Sequence, residues 1–156
     1  MFDVPLDAWY SWVGLSLASL ALLGVVTALP TTAPPDATIV ANTVDRVAAS
    51  DHETTAENPL AATAVRLGPH RVGLRNDGGT AHASYAFGPV TPVPEGSPLQ
   101  RVLYGRPPGD VFDSRRAFQQ ALVAARTTEP TWERVERTLV VRRVSWEGVD
   151  AVLVDV

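Results

Sequence analysis

Residues 138–156 read TLVVRRVSWEGVDAVLVDV. Two runs rich in valine and leucine, 138–146 and 149–156, flank Glu147-Gly148. A short Glu-Gly link between such runs predicts a tight turn joining two strands. The segments LVV at 139–141 and AVLV at 151–154 are apolar at consecutive positions rather than alternating. A strand with one wet face alternates, so these two are expected to be central strands covered on both faces.

Working outward, Val65 and Leu67 alternate with Arg66, and Val72 and Leu74 alternate with Arg71 and Arg75. Gly68-Pro69 separates the two runs, and Asn76-Asp77-Gly78-Gly79 is a hairpin signal, because these residues tolerate positive φ. The returning strand places Ala81, Ala83, Tyr85 and Phe87 on one face and His82, Ser84 and Ala86 on the other. Three short helices are expected beside the strands. Asp36 caps the first, which runs to about Ala49 with Val40, Val44 and Val47 on one side. Ser97-Pro98 starts the second, with Leu99, Val102 and Leu103 inward and Gly105 at its end. Ser114 starts the third, with Phe118, Leu122 and Ala125 inward and Arg115 and Arg116 outward. Residues 50–62 are polar and read as loop.

The N-terminal end is different. Residues 8–29, AWYSWVGLSLASLALLGVVTAL, carry no charge. A helix of this length rises roughly 33 Å, which matches a bilayer core of ~30 Å. Trp9, Tyr10 and Trp12 are placed as interfacial anchors, where an aromatic body and a polar tip are both satisfied. Pro30 and the following TTAPP end the helix. Val26-Thr27-Ala28 would suit a signal peptidase, yet no basic residue precedes the apolar run and the run is long, so an uncleaved anchor is expected. Ser11, Gly14, Ala18, Ala21, Val25 and Ala28 recur at spacings of 3 and 4 and form a helix-packing stripe. The expected fold is therefore α+β, an N-terminal transmembrane helix followed by a small antiparallel-sheet domain with two or three short helices. Its divisions are an N-terminal flank 1–7, a transmembrane helix 8–29, a Pro/Thr-rich stalk 30–38 and a soluble α+β domain 39–156. The stalk composition and the long C-terminal domain point to a domain outside the cell membrane.

Composition narrows the function classes. The chain has 156 residues, 13 basic and 17 acidic, with net charge −4 and no cysteine; every basic residue is arginine. Thiol chemistry, disulfides and cysteine-ligated metals are excluded. The acidic balance argues against nucleic-acid binding. The histidines are His52, His70 and His82. Asp51-His52-Glu53 sets ligand types side by side, but adjacent loop residues do not converge on a metal, and His70 and His82 would need a favourable register. No HExxH, Walker A, GxSxG or GxGxxG occurs. No catalytic, cofactor-binding or metal residue is expected, and no cofactor. Arg66, Arg71 and Arg75 fall on the exposed side of the first hairpin and form a candidate docking face for an acidic partner, unless they pair with acids of this chain, as Arg142 and Arg143 could equally do.

The segments FDVPLDAWYSWVGL (2–15), VGLRNDGGTAHASYAFGPVTPV (72–93) and LVVRRVSWEGVDAVLV (139–154) resemble a family of uncharacterised haloarchaeal single-pass membrane proteins. That family is similar in layout to pilin-like proteins associated with type II/IV secretion or pilus machinery. The resemblance implies no activity and no catalytic residues. It departs from the archaeal pilin pattern at Leu6-Asp7-Ala8, where no basic residue precedes the apolar run. The expected function is a non-enzymatic membrane-anchored envelope protein, an accessory or pilin-like component of such an assembly. Its partners would be the lipid bilayer and membrane proteins, or further copies of itself. The alternative is a membrane-tethered ligand-binding or sensing module, with Tyr85, Phe87 and Trp146 lining a pocket.

Overall fold

The computed structural model describes residues 6–28, 32–135 and 138–156, with side chains placed over 9–23 in the first stretch. Two compact units result, Met1–Thr32 and Ala33–Val156. The first contains one helix, α1 (Leu6–Ala28). The Ser16 and Ser19 hydroxyls donate within the helix to the Trp12 and Leu15 carbonyls at 2.9 and 2.8 Å. Among the described residues no helix is long and apolar enough to cross a membrane. That corrects the expected transmembrane helix over 8–29.

The second unit is α+β. After α2 (Ala37–Ala48) come β1 (Thr55–Asn58), β2 (Ala64–Leu67), β3 (Arg71–Asn76), β4 (Gly79–Ser84) and β5 (Thr91–Pro92). Then follow α3 (Pro98–Leu103), a 3₁₀ turn at Pro108–Asp110, α4 (Arg115–Thr127), β6 (Glu133–Arg134), β7 (Leu139–Trp146) and β8 (Val149–Asp155). The strands build two sheets rather than one. Sheet A has the order β1-β7-β8-β5, with β5 parallel to β8; sheet B is antiparallel throughout, in the order β4-β3-β2-β6.

The hairpin β7-β8 sits at the centre of sheet A, as its double-sided apolar pattern requires. Glu147 and Gly148 close it with φ of 48° and 75°, the left-handed pair of a tight hairpin turn. Leu139, Val141 and Val154 face one core with α2; Val140, Val144, Ala151 and Leu153 face a second core with α3 and α4. α2 lies between the sheets, touching β3 and β4 on one side and β1, β7 and β8 on the other. Its buried stripe is Ala37, Val40, Ala41, Val44 and Val47, each valine contributing up to roughly 1.5–3 kcal/mol. The Asp36 carboxylate accepts from the Thr38 amide at 2.8 Å and starts the helix. Phe118 anchors the second core, edge-on to Trp146 and tilted against Phe112.

Four local expectations are revised. β1 lies within the stretch read as loop; it forms because β7 would otherwise leave its outer edge unpaired. β4 stops at Ser84, so Phe87 does not continue its face. Instead the Ala86 and Phe87 amides both donate to the Asp45 carboxylate, which turns the chain back over α2. Ser97 holds the cap position of α3 without capping it, and its buried hydroxyl has no partner among the described residues. In the β3-β4 turn only Gly79 has positive φ (141°), and the Asn76 side chain closes the turn by accepting from the Gly78 amide.

Candidate functional site

The outer face of sheet B is built by register. Gly73 stands opposite Arg66 on β2 and opposite His82 on β4. Arg71 and Arg75 flank it along β3, two positions away on the same face. Val65, Val72 and Leu74 point the other way, into the core. A glycine thus sits at the centre of a cross whose four arms are three arginines and a histidine.

Nonlocal contacts shape this face. The Arg66 Nε–H donates to the Pro130 carbonyl at 2.9 Å. The Arg75 guanidinium lies 4.1 Å from the centroid of the Trp132 ring, and its Nε donates to the Thr80 hydroxyl at 3.3 Å. The His82 ring lies 6.0 Å from the same indole. A Cβ on residue 73 would stand 2.8 Å from His82 Nδ1 and 3.0 Å from Trp132 Cη2, so only glycine fits without displacing them. What remains is a groove of about 270 Å³ lined by Arg66, Gly68, Arg71, Gly73, His82 and Pro130, with no carboxylate in its wall. Among the described residues, none of Arg66, Arg71 and Arg75 has a carboxylate within ion-pair distance.

The candidate docking arginines are therefore brought together, with Arg71 and Arg75 exposed and Arg66 half-buried. Sequence reasoning missed Gly73, Trp132 and Pro130. A lone glycine inside an alternating strand was the available signal for a close approach; nothing local pointed to Trp132.

Other candidates disperse. Tyr85 is buried in the α2 core and Trp146 packs on the second core, so they line no common pocket with the exposed Phe87. The Tyr85 hydroxyl is without a partner among the described residues, and burial, then the Asp45 charge, pushes its pKa well up. A larger groove of about 380 Å³ runs past Phe87, Arg126, Arg143 and Asp150, but its arginines are engaged. Arg126 donates to Thr91 at 2.8 Å, and burial lowers its pKa; Arg143 donates to the Ala48 carbonyl and lies 4.0 Å from Asp150. Arg142 donates to the Val102 carbonyl and lies 3.9 Å from Glu53. His70 pairs by its carbonyl with Tyr85, away from His82, and no group of three metal-ligating side chains forms among the described residues.

On α1, Ser11, Gly14, Ala18 and Ala21 fall on one side of the helix. The side chains of Val25 and Ala28 lie outside the described residues. Trp9, Tyr10 and Trp12 are exposed.

No curated protein and no solved structure matches the chain. A family profile matches residues 3–144. The chain belongs to that family, a family of unknown function designated DUF7283.

Proposed function

We propose that the chain is a non-enzymatic accessory component of a cell-envelope assembly, pilin-like in layout, of the kind associated with secretion or pilus machinery. In this reading α1 packs among apolar helices and the second unit docks an acidic partner through the arginine face of sheet B. The observation that carries it is α1 itself. Leu15, Leu17, Leu20, Leu22 and Leu23 are each 61–67% exposed, on a helix with apolar side chains on every side. A helix of that kind is covered by apolar surroundings when it functions. The small residues Gly14, Ala18 and Ala21 let a second helix come close along one side.

The test uses the lack of cysteine. Ala18→Cys and Leu20→Cys are expressed separately, and the envelope fraction is oxidised. Ala18→Cys is expected to cross-link and Leu20→Cys is not. Equal cross-linking, or none from position 18, overturns the reading.

A further inference from the structure

We propose that the groove over Gly73 is a carboxylate-binding subsite, in which Arg66 and Arg71 grip an acidic side chain of the docked partner. This deepens the docking reading and rests on it. The argument begins with pre-organisation. A free arginine side chain loses considerable rotamer entropy when it binds. Arg66 has already lost much of it, because its Nε–H is held by the Pro130 carbonyl and its stem is half-buried. The two Nη groups have no acceptor among the described residues, so the guanidinium presents a fixed fork. A fork of this kind matches the two oxygens of a carboxylate.

The surroundings select the same ligand. Arg71 adds a second cation from the neighbouring strand, and His82 adds a ring nitrogen from the far side of Gly73. The missing side chain at position 73 lets the His82 ring and the Trp132 indole lie close over the strand, where a Cβ would stand 2.8 Å from His82 Nδ1, and so holds that ring at the wall of the groove. At about 270 Å³ the groove falls just below the roughly 300–1,000 Å³ of sites for whole small molecules. That size suits an acidic side chain entering from a chain that lies across the sheet, not a nucleotide or a cofactor. Arg75, stacked on Trp132, then meets the next part of that chain.

The contrast with the larger groove beside Phe87 supports the choice. There Arg126 and Arg143 are already bonded to Thr91, Ala48 and Asp150. On sheet B, among the described residues, Arg66 keeps its two Nη groups free beyond the Pro130 carbonyl and Arg71 has no carboxylate within ion-pair distance, in a protein that carries more acid than base.

The experiment titrates the full chain, in nonionic detergent at low salt, with N-acetyl tetraglutamate amide, using N-acetyl tetraglutamine amide as the uncharged control. Binding by calorimetry is expected for the first and not the second. Arg66→Gln and Arg71→Gln are each expected to weaken it by about tenfold to a hundredfold, the loss of a charge-assisted bond. Arg116→Gln, an exposed arginine on α4 with the same change of charge, is expected to leave it within about twofold. Among the described residues Arg71 makes no side-chain hydrogen bond or ion pair, so its variant is read even if Arg66→Gln destabilises the fold. If the tetraglutamate does not bind, both the docking reading and the subsite fall. If it binds but Arg66→Gln and Arg71→Gln match Arg116→Gln, the docking face stands and the subsite falls. A competition arm adds glutarate and inorganic phosphate; displacement by phosphate at lower concentration than by glutarate overturns the carboxylate assignment.

Discussion

Sheet A carries Arg142 on the side of α3 and α4 and Arg143 on the side of α2, sheet B carries Arg66, Arg71 and Arg75 on the face away from α2, and the two sheets use them in opposite ways. On sheet A, Arg142 reaches the Val102 carbonyl and Arg143 is held by Ala48 and Asp150 on its own side. These guanidinium groups join strands to helices. On sheet B, among the described residues, Arg71 makes no ion pair, Arg75 lies over the Trp132 ring, and Arg66 is anchored by its Nε alone. The difference follows from cover. Helices α3 and α4 close the far face of sheet A with Leu99, Val102, Phe118 and Leu122. On the corresponding face of sheet B the Pro130–Trp132 segment lies against Arg66 and Arg75. An arginine at a covered sheet must find a partner inside the protein, because an unpaired buried charge is costly. An arginine at an open sheet is solvated until a partner arrives.

The largest expected effect tests the cover itself. Phe118 is fully buried against Phe112 and Trp146, and Phe118→Ala is expected to destabilise the chain by about 3–5 kcal/mol in urea unfolding. A loss below about 1 kcal/mol would mean that the second core is not closed as described. The next effect compares arginines directly. Arg143→Ala leaves the Ala48 carbonyl without its donor and is expected to cost about 1–3 kcal/mol, whereas Arg71→Ala changes stability by less than about 0.5 kcal/mol. Equal costs would erase the distinction between the sheets. The smallest concerns Glu133, at the β6 edge of sheet B. Burial first, then the Asp155 and Glu95 carboxylates, raises its pKa above the ordinary 4.5. The folded chain then holds this proton more tightly than the unfolded chain. Stability contributed by this group is therefore lost as pH rises through 4.5 and the higher folded value. Glu133→Gln is expected to raise the melting temperature by on the order of 1–2 °C near pH 7 and not at about pH 4. A gain of the same size at both pH values would break the linkage.

Much of the second unit was legible in local pattern. Alternation around Val72 and Leu74 put Arg66, Arg71 and Arg75 on one face, and spacings of 3 and 4 placed Val40, Val44 and Val47 on the buried side of α2. The candidate site was legible only as three arginines. Gly73 carried a signal that periodicity alone does not read, and Trp132 lies in a stretch whose strand β6 has two residues. Ser97 shows the opposite failure: the residue type and position were right for a cap, yet its hydroxyl is buried and makes no bond among the described residues. The apolar run at 8–29 was read as a transmembrane helix from length and charge. The helix Leu6–Ala28 is present, but among the described residues no helix meets the length and apolarity of a crossing.

By itself, the sequence determined what depends on neighbours a few residues apart: the Asp36 and Ser114 caps, the inward faces of α2, α3 and α4, the two hairpins, and the double-sided burial of β7 and β8. Only the tertiary structure decided which charges are engaged. Arg66 meets a carbonyl 64 positions away, Arg142 one 40 positions away and Arg143 one 95 positions away. A guanidinium finds its acceptor through space, after the sheets and helices have packed, and no periodicity along the chain encodes which face will be left open.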